Sequence, residues 1–219
     1  MPVQSLAGPR IFVLTDTPEP YGKHLCRDGT EPVYTDNVPS LLEYLRGVAV
    51  AGLVLEIAKV MQAQLQDRDR LFGYAGTFPV LRSRMHPETG VAFLDDPDCF
   101  FRNLDAAAGE HCRGHARISM VLDCEFSGED DPFLAKPVQA SIMDISPGGC
   151  FIRTDRTASD QRFLYLRVPE LGSTRPIFCN VRWLKSVRDS KAMPGMGVMF
   201  IDITPDQAKN ISALRLKAS

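Results

Sequence analysis

From about residue 113 to the C-terminus, apolar and polar side chains alternate in short runs, and turn residues interrupt them at intervals of roughly 10–15 positions. The alternation is clearest in Ile177-Phe-Cys-Asn-Val-Arg-Trp-Leu184. A period of two sends successive side chains to opposite faces of a strand, so one face meets a core and the other meets solvent. The pattern predicts strands at Arg117–Phe126, Pro137–Asp144, Gly149–Thr154, Arg162–Val168, Ile177–Lys185 and Gly197–Ile203. Six short strands of this kind imply a small all-β barrel or sandwich. Thr204-Pro-Asp-Gln207 then has the marks of a helix start: Thr204 as N-cap, Pro205 at the first position, and Gln207 three residues after the cap. Ala208, Ile211, Leu214 and Leu216 supply the apolar face of that closing helix.

The first half has another rhythm. Ile11–Leu14, Pro32–Thr35, Val50–Ile57, Phe78–Arg82 and Val91–Leu94 are short apolar runs with strand character. A loop rich in Pro, Gly and charge is expected after Asp16. Between the later strands lie helical patterns: one capped by Asp36 or Asn37 and ended by Gly47, one over Lys59–Leu71, and one over Asp98–Ala108. Strands alternating with helices imply an α/β layer with a parallel sheet. The chain therefore divides into an α/β interaction domain over 1–108 and a β-barrel domain over 109–219, joined by Ala106-Ala-Ala-Gly-Glu-His111.

Charge and hydropathy narrow the function classes. The net charge is −2 over 219 residues, with 24% charged residues and a mean hydropathy of −0.10. Residues 1–109 carry 10 Lys/Arg against 14 Asp/Glu, and the remainder 15 against 13. No global field draws such a chain to DNA or to anionic lipid, so an anionic ligand needs a local arginine cluster. The most apolar stretch, Val48–Val60, contains Glu56 and Lys59 and is shorter than the roughly 20 residues of a membrane span. Residues 1–10 lack the apolar core of a secretion signal, and the six cysteines are scattered, so reduced thiols and a cytoplasmic address are expected.

Arg113-Gly-His-Ala-Arg117 stands just before the first barrel strand. Asp144-Ile-Ser146-Pro-Gly148-Gly149 stands at the end of the second, with Asp144 27 residues after Arg117. Arg-x-x-x-Arg followed at this interval by Asp/Asn-x-Ser-x-x-Gly closely resembles the PilZ family. Val181-Arg-Trp183, Pro194-Gly-Met-Gly-Val-Met-Phe200 and the Thr204-Pro205 helix start resemble the family's later blocks, so the likeness covers about residues 110–216. It implies a six-stranded PilZ barrel with a C-terminal helix that binds the bacterial second messenger cyclic di-GMP as a ligand, with no cofactor and no metal. It assigns Arg113 and Arg117 to phosphates and guanine edges, Asp144 and Ser146 to a guanine, and Gly149 to the shape of the turn. Gly148 and Arg153 complete the expected ligand-binding set, with Arg182 as a further rim candidate and Trp183 as a core residue. In proteins of this type an additional arginine ahead of the first motif arginine accompanies a stacked ligand pair. Cys112 stands there, which leaves one or two ligands per domain open.

The chemistry of these side chains suits that ligand. A guanidinium presents a planar fork to phosphate oxygens or to the guanine O6/N7 edge, and it stacks on a base. A carboxylate accepts from guanine N1–H and N2–H₂, which adenine cannot offer in that pattern. Glycines after Pro147 let a ligand approach the backbone. The same Asp-x-Ser-Pro-Gly-Gly also reads as a turn in its own right, with the Asp or Ser capping loop amides.

Other constellations carry less. Cys99, His111, Cys112 and His115 lack the paired spacing of a structural zinc site. His24, His86, His111 and His115 fall in loops or the linker without a strained nucleophile turn, so the chain is not expected to be an enzyme. The first domain weakly resembles a degenerate response-regulator receiver: Asp16 follows the first strand, Glu56 stands near the phosphoacceptor position, Ser83 near the fourth, and Asp95 or Asp96 replaces the lysine. A carboxylate there cannot neutralise a phosphoryl oxygen, so the domain is expected to bind a protein partner. The function expected of the whole chain is that of a cyclic di-GMP signalling effector, in which nucleotide changes the interdomain arrangement or partner binding. The alternative is a PilZ-type interaction module for motility or polarity regulation that works without nucleotide.

Overall fold

The computed structural model describes residues 10–26, 32–106, 114–155, 161–185 and 193–217, the side chains of 215–217 apart. It divides into two compact units, Met1–Cys112 and Arg113–Ser219. The expected boundary at 108/109, like Arg113, His111 and Cys112, lies outside the described residues.

The first unit is an α/β layer whose sheet runs β2-β1-β3-β4-β5, with strands β1 (Arg10–Leu14), β2 (Val33–Thr35), β3 (Val50–Glu56), β4 (Val80–His86) and β5 (Gly90–Phe93). Strands β1 to β4 are parallel. β5 departs from the expected parallel sheet and pairs antiparallel with β4, His86 opposite Gly90. The three residues between them are too few for a crossover, which takes about a dozen, so only a hairpin closes the gap. The central strand is apolar on both faces: Leu53, Val54 and Leu55 are fully buried. Burial of each such side chain contributes about 1.5–3 kcal/mol.

The helices of this unit are α1 (Glu19–Leu25), α2 (Val38–Leu45), α3 (Ile57–Gln62), α4 (Leu65–Tyr74) and α5 (Pro97–Asp105). Helix α2 starts as expected, with the Asn37 side chain accepting from the Ser40 amide at 2.8 Å. Helix α1 occupies a stretch expected to be loop. Two prolines and a glycine obscure it, and it is held by Tyr21 and Leu25, one helical turn apart and both fully buried. The expected single helix over 59–71 is two helices. Ala63 and Gln64 are extended between them, Gln64 is exposed, and the change of direction lays α4 against α2, with Leu71 and Phe72 buried.

The second unit is a closed six-stranded barrel of order β10-β11-β8-β7-β6-β9, formed by β6 (Ile118–Gly128), β7 (Val138–Ser146), β8 (Gly149–Arg153), β9 (Phe163–Arg167), β10 (Ile177–Lys185) and β11 (Gly195–Asp202). Cys124, Ile142, Cys150, Ile152, Cys179 and Phe200 fill its interior. Helix α6 (Pro205–Lys217) opens with the expected reciprocal cap: the Gln207 amide donates to Thr204 Oγ1 at 3.1 Å, and the Thr204 amide to Gln207 Oε1 at 2.9 Å. Ile211 and Leu214 are buried on its inner face.

Candidate functional site

The β7–β8 hairpin organises the site. Ser146 pairs with Gly149, leaving Pro147 and Gly148 as a two-residue loop. Ser146 is buried, and its hydroxyl donates to the Gly149 carbonyl at 3.2 Å. Gly149 has φ +158°, and a Cβ there would lie 2.1 Å from the Val198 carbonyl oxygen on β11. Two of the motif residues are thus committed to joining β7, β8 and β11, which is the turn role the sequence allowed them.

A β-bulge decides where Asp144 points. On β7 the pairing to β8 shifts register between Ile142 and Asp144. Ile142 and Ile145 both face the interior, three residues apart, and strict alternation does not allow that. The extra residue turns Asp144 to the outer surface, where it is opposite Ser119 on β6 and Phe151 on β8. Arg117, just ahead of β6, reaches the same place: its Nη1 donates to Asp144 Oδ1 at 2.7 Å. About a third of the Arg117 side chain and a quarter of that of Asp144 are exposed, so both remain reachable from solvent. His115 lies over the hairpin, its Cδ2 3.4 Å from where a Cβ of Gly148 would stand.

Sequence reasoning missed the aromatic part of this face. Trp183, expected in the core, is 46% exposed on the outside of β10. Its indole lies on Gly197, where an added Cβ would be 2.2 Å from the ring, and it stacks on Phe151 at 5.3 Å between centroids with 15° between planes. Gly195 is equally filled by Phe151, 2.7 Å from an added Cβ. The glycines of Pro194-Gly-Met-Gly are therefore the hollows that make room for the two rings against β11. That alternation of Gly opposite an aromatic was the signal available in the sequence. Phe151 is directly opposite Asp144, so carboxylate, guanidinium and ring pair form one continuous outer surface.

Arg153 is exposed two residues beyond Phe151 on the same face of β8, about 7 Å further along the strand. Arg182 Nη1 donates to Asn180 Oδ1 at 3.3 Å.

In the first unit, Thr15 Oγ1 donates to Glu56 Oε2 at 2.6 Å, Tyr21 Oη and Ser83 Oγ share a hydrogen bond of 2.9 Å, and Lys59 bonds Asp16 at 2.5 Å. The Lys59 ammonium holds the Asp16 carboxyl below its ordinary value. Asp95 is paired with Arg82. Among the described residues no group of three or more His, Cys, Asp or Glu is placed to hold a metal, and no helix is long and apolar enough to cross a membrane.

Residues 112–216, just under half of the chain, match the model of the PilZ domain. Similar solved structures include the inhibitor of motility MotI/DgrA of Bacillus subtilis, at 18% identity and TM-score 0.37, covering 61% of this chain and 56% of that one. They also include the PilZ domain of CeSA from a cellulose-synthesizing bacterium, at 16% identity and TM-score 0.32, covering 47% and 96%. The PilZ domain of YcgR from Escherichia coli, with c-di-GMP, has 16% identity and TM-score 0.34, covering 48% and 90%. The chain spans just over half the length of the first of these. No curated protein matches it. The C-terminal half of the chain is a PilZ domain.

Proposed function

We propose that this PilZ domain is a receptor for cyclic di-GMP and that the chain is a signalling effector rather than an enzyme. The observation that carries the reading is the meeting of Arg117 and Asp144 at 2.7 Å on the outside of the barrel, across 27 residues, beside the stacked pair of Phe151 and the exposed Trp183. A guanine bound at this face gives its N1–H and N2–H₂ to Asp144, while Arg117 turns its fork to a phosphate or to O6/N7. Trp183 and Phe151 offer a flat surface for the base, of the kind that contributes about 1–3 kcal/mol per stacked base. Arg113, from the segment ahead of β6, and Arg153 add positive charge for the second phosphate. Ser146, Gly148 and Gly149 act by shaping the hairpin. In this reading nucleotide binding alters how the chain engages a protein partner, for which the α/β unit is the candidate surface.

Calorimetric titration of the full chain with cyclic di-GMP tests the reading. Binding is expected for wild type, with a loss of at least tenfold in Arg117→Ala and in Asp144→Ala, and cyclic di-AMP is expected to bind far more weakly. No heat at high micromolar nucleotide, or an Arg117→Ala titration that overlays wild type, removes it.

One observation favours the second reading, a module that works without nucleotide. The motif closes on itself, with Arg117 satisfied by Asp144 and the Ser146 hydroxyl used inside the turn. That reading predicts partner binding of equal strength with and without nucleotide.

A further inference from the structure

The connection between β6 and β7 is built to display one side chain. Phe133 is 87% exposed, the most exposed large apolar residue among those described, and the next residue, Leu134, is 5% exposed. Leu134 has φ +52°, and among the described residues it alone, glycines apart, has positive φ. A left-handed leucine is strained and persists only where its surroundings over-determine it. Here they do. The Asp131 carboxylate accepts from the amides of Ala135 and Lys136, both at 2.9 Å, and the Ser127 hydroxyl donates to the Asp131 carbonyl at 2.6 Å. The Asp131 amide donates to the Gly128 carbonyl at 3.0 Å, and that of Leu134 to the Asp131 carbonyl at 3.2 Å. Pro132 fixes φ one residue ahead of the phenylalanine. A mobile loop would fold its phenylalanine back onto the barrel; this one anchors Leu134 inside, and the left-handed turn leaves Phe133 outside.

The geometry points to this loop as a docking element whose anchor, Phe133, enters an apolar pocket with a basic rim on a partner protein. Rigid aromatic anchors carry most of the affinity in protein interfaces, because little conformational freedom is lost when they bind. Charge selects the partner's rim: Glu129, Asp130 and Asp131 precede the anchor, against the single Lys136 after it. The same carboxylates repel an anionic bilayer and repel the corresponding loop of a second copy, which disfavours a membrane and a symmetric self-contact at this loop. The loop joins β6 and β7 at the ends away from Arg117 and Asp144, so the inference stands apart from the nucleotide reading.

The test places the photo-crosslinker p-benzoylphenylalanine at position 133 of the full chain in its native host, with position 121 as control, since Val121 is also well exposed. The expected result is one discrete protein adduct at 133, absent at 121, whose crosslinked peptide lines an apolar pocket edged by Lys or Arg. Its yield should fall at least tenfold in Glu129→Lys/Asp130→Lys. Adducts with lipid or with further copies of this chain, a crosslinked peptide without basic neighbours, a yield indifferent to the charge reversal, or no discrete adduct overturns the proposal. Phe133→Ser in the purified chain should leave Tm unchanged, and a lowered Tm would also overturn it by showing that the ring supports the fold. Loss of nucleotide binding in Arg117→Ala leaves every one of these readouts in place.

Discussion

Arg117 and Asp144, both partly exposed, form an ion pair of 2.7 Å on the outside of the barrel, Arg117 from the residue ahead of β6 and Asp144 from β7, 27 residues later. A pair in this setting is worth little to the fold, about 0.2–1 kcal/mol, because water screens it and two long side chains must be ordered. A double-mutant cycle of Arg117→Ala and Asp144→Ala under chemical denaturation is expected to give a coupling in that range. The same variants are expected to cost at least tenfold in nucleotide affinity. A coupling well above 1 kcal/mol would make the pair a structural element.

Gly149→Ala is expected to destabilise the barrel by about 1–3 kcal/mol, the usual cost of forcing a methyl group into a packed site. The added Cβ meets the Val198 carbonyl oxygen at 2.1 Å, and neither backbone can retreat without opening the β8–β11 pairing. Thermal melting checks it. Loss of ligand binding in this variant reports the hairpin's shape and assigns no contact to Gly149.

Trp183 is the only tryptophan in the chain, so intrinsic emission reports one place. If the base stacks on the Trp183–Phe151 pair, nucleotide quenches the emission and Phe151→Ala weakens both quenching and affinity. Trp183→Ala is expected to reduce affinity about tenfold or more. Emission unchanged at saturating nucleotide places the ligand elsewhere.

The Asp131 carboxyl is held below its ordinary value of 3.8 by the amides of Lys136 and Ala135. A carboxyl whose pKa is lowered by folding stabilises the folded state above the unfolded pKa, and that contribution disappears as pH falls through the folded pKa. Barrel stability is therefore expected to drop in acid, below about pH 3.8, and part of that drop should vanish in Asp131→Ala. Urea midpoints across the acid range measure it.

Burial raises the Cys124 thiol to about 12 and the Cys150 thiol well above its usual value, so neither reacts as a thiolate at neutral pH. Cys99 and Cys179 are also buried, and Cys26 is exposed. In a Cys112→Ser background, maleimide is expected to modify Cys26 within minutes and the other four only on unfolding, as mass spectrometry will show.

The strand periods, the Thr204–Gln207 cap, the Asn37 cap and the two spaced motifs are local patterns of a few residues, and each was legible from the order of side chains alone. Helix α1 was not, because a seven-residue helix with Pro at its start is stabilised by burying Tyr21 and Leu25, a tertiary contact that no propensity records. The break between α3 and α4 is of the same kind: nothing at Ala63-Gln64 demands it, and packing of α4 on α2 does. The antiparallel β5 follows from a connection too short to cross over, although its strand character was visible.

For the site, the sequence by itself determined which groups are available: two arginines, an aspartate, a serine and glycines at a fixed spacing before and within a hairpin. Tertiary structure decided how they divide. Ser146 and Gly149 turned inward to hold the hairpin against β11, whereas the bulge after Ile142 rotated Asp144 outward to Arg117. Trp183 could be placed on the outer face only once β11 lay beside β10 and presented Gly197 as a seat for its ring. Facing and pairing depend on register between strands distant in sequence, and a one-residue shift sends a side chain to the other side of the barrel. Local pattern cannot contain that information.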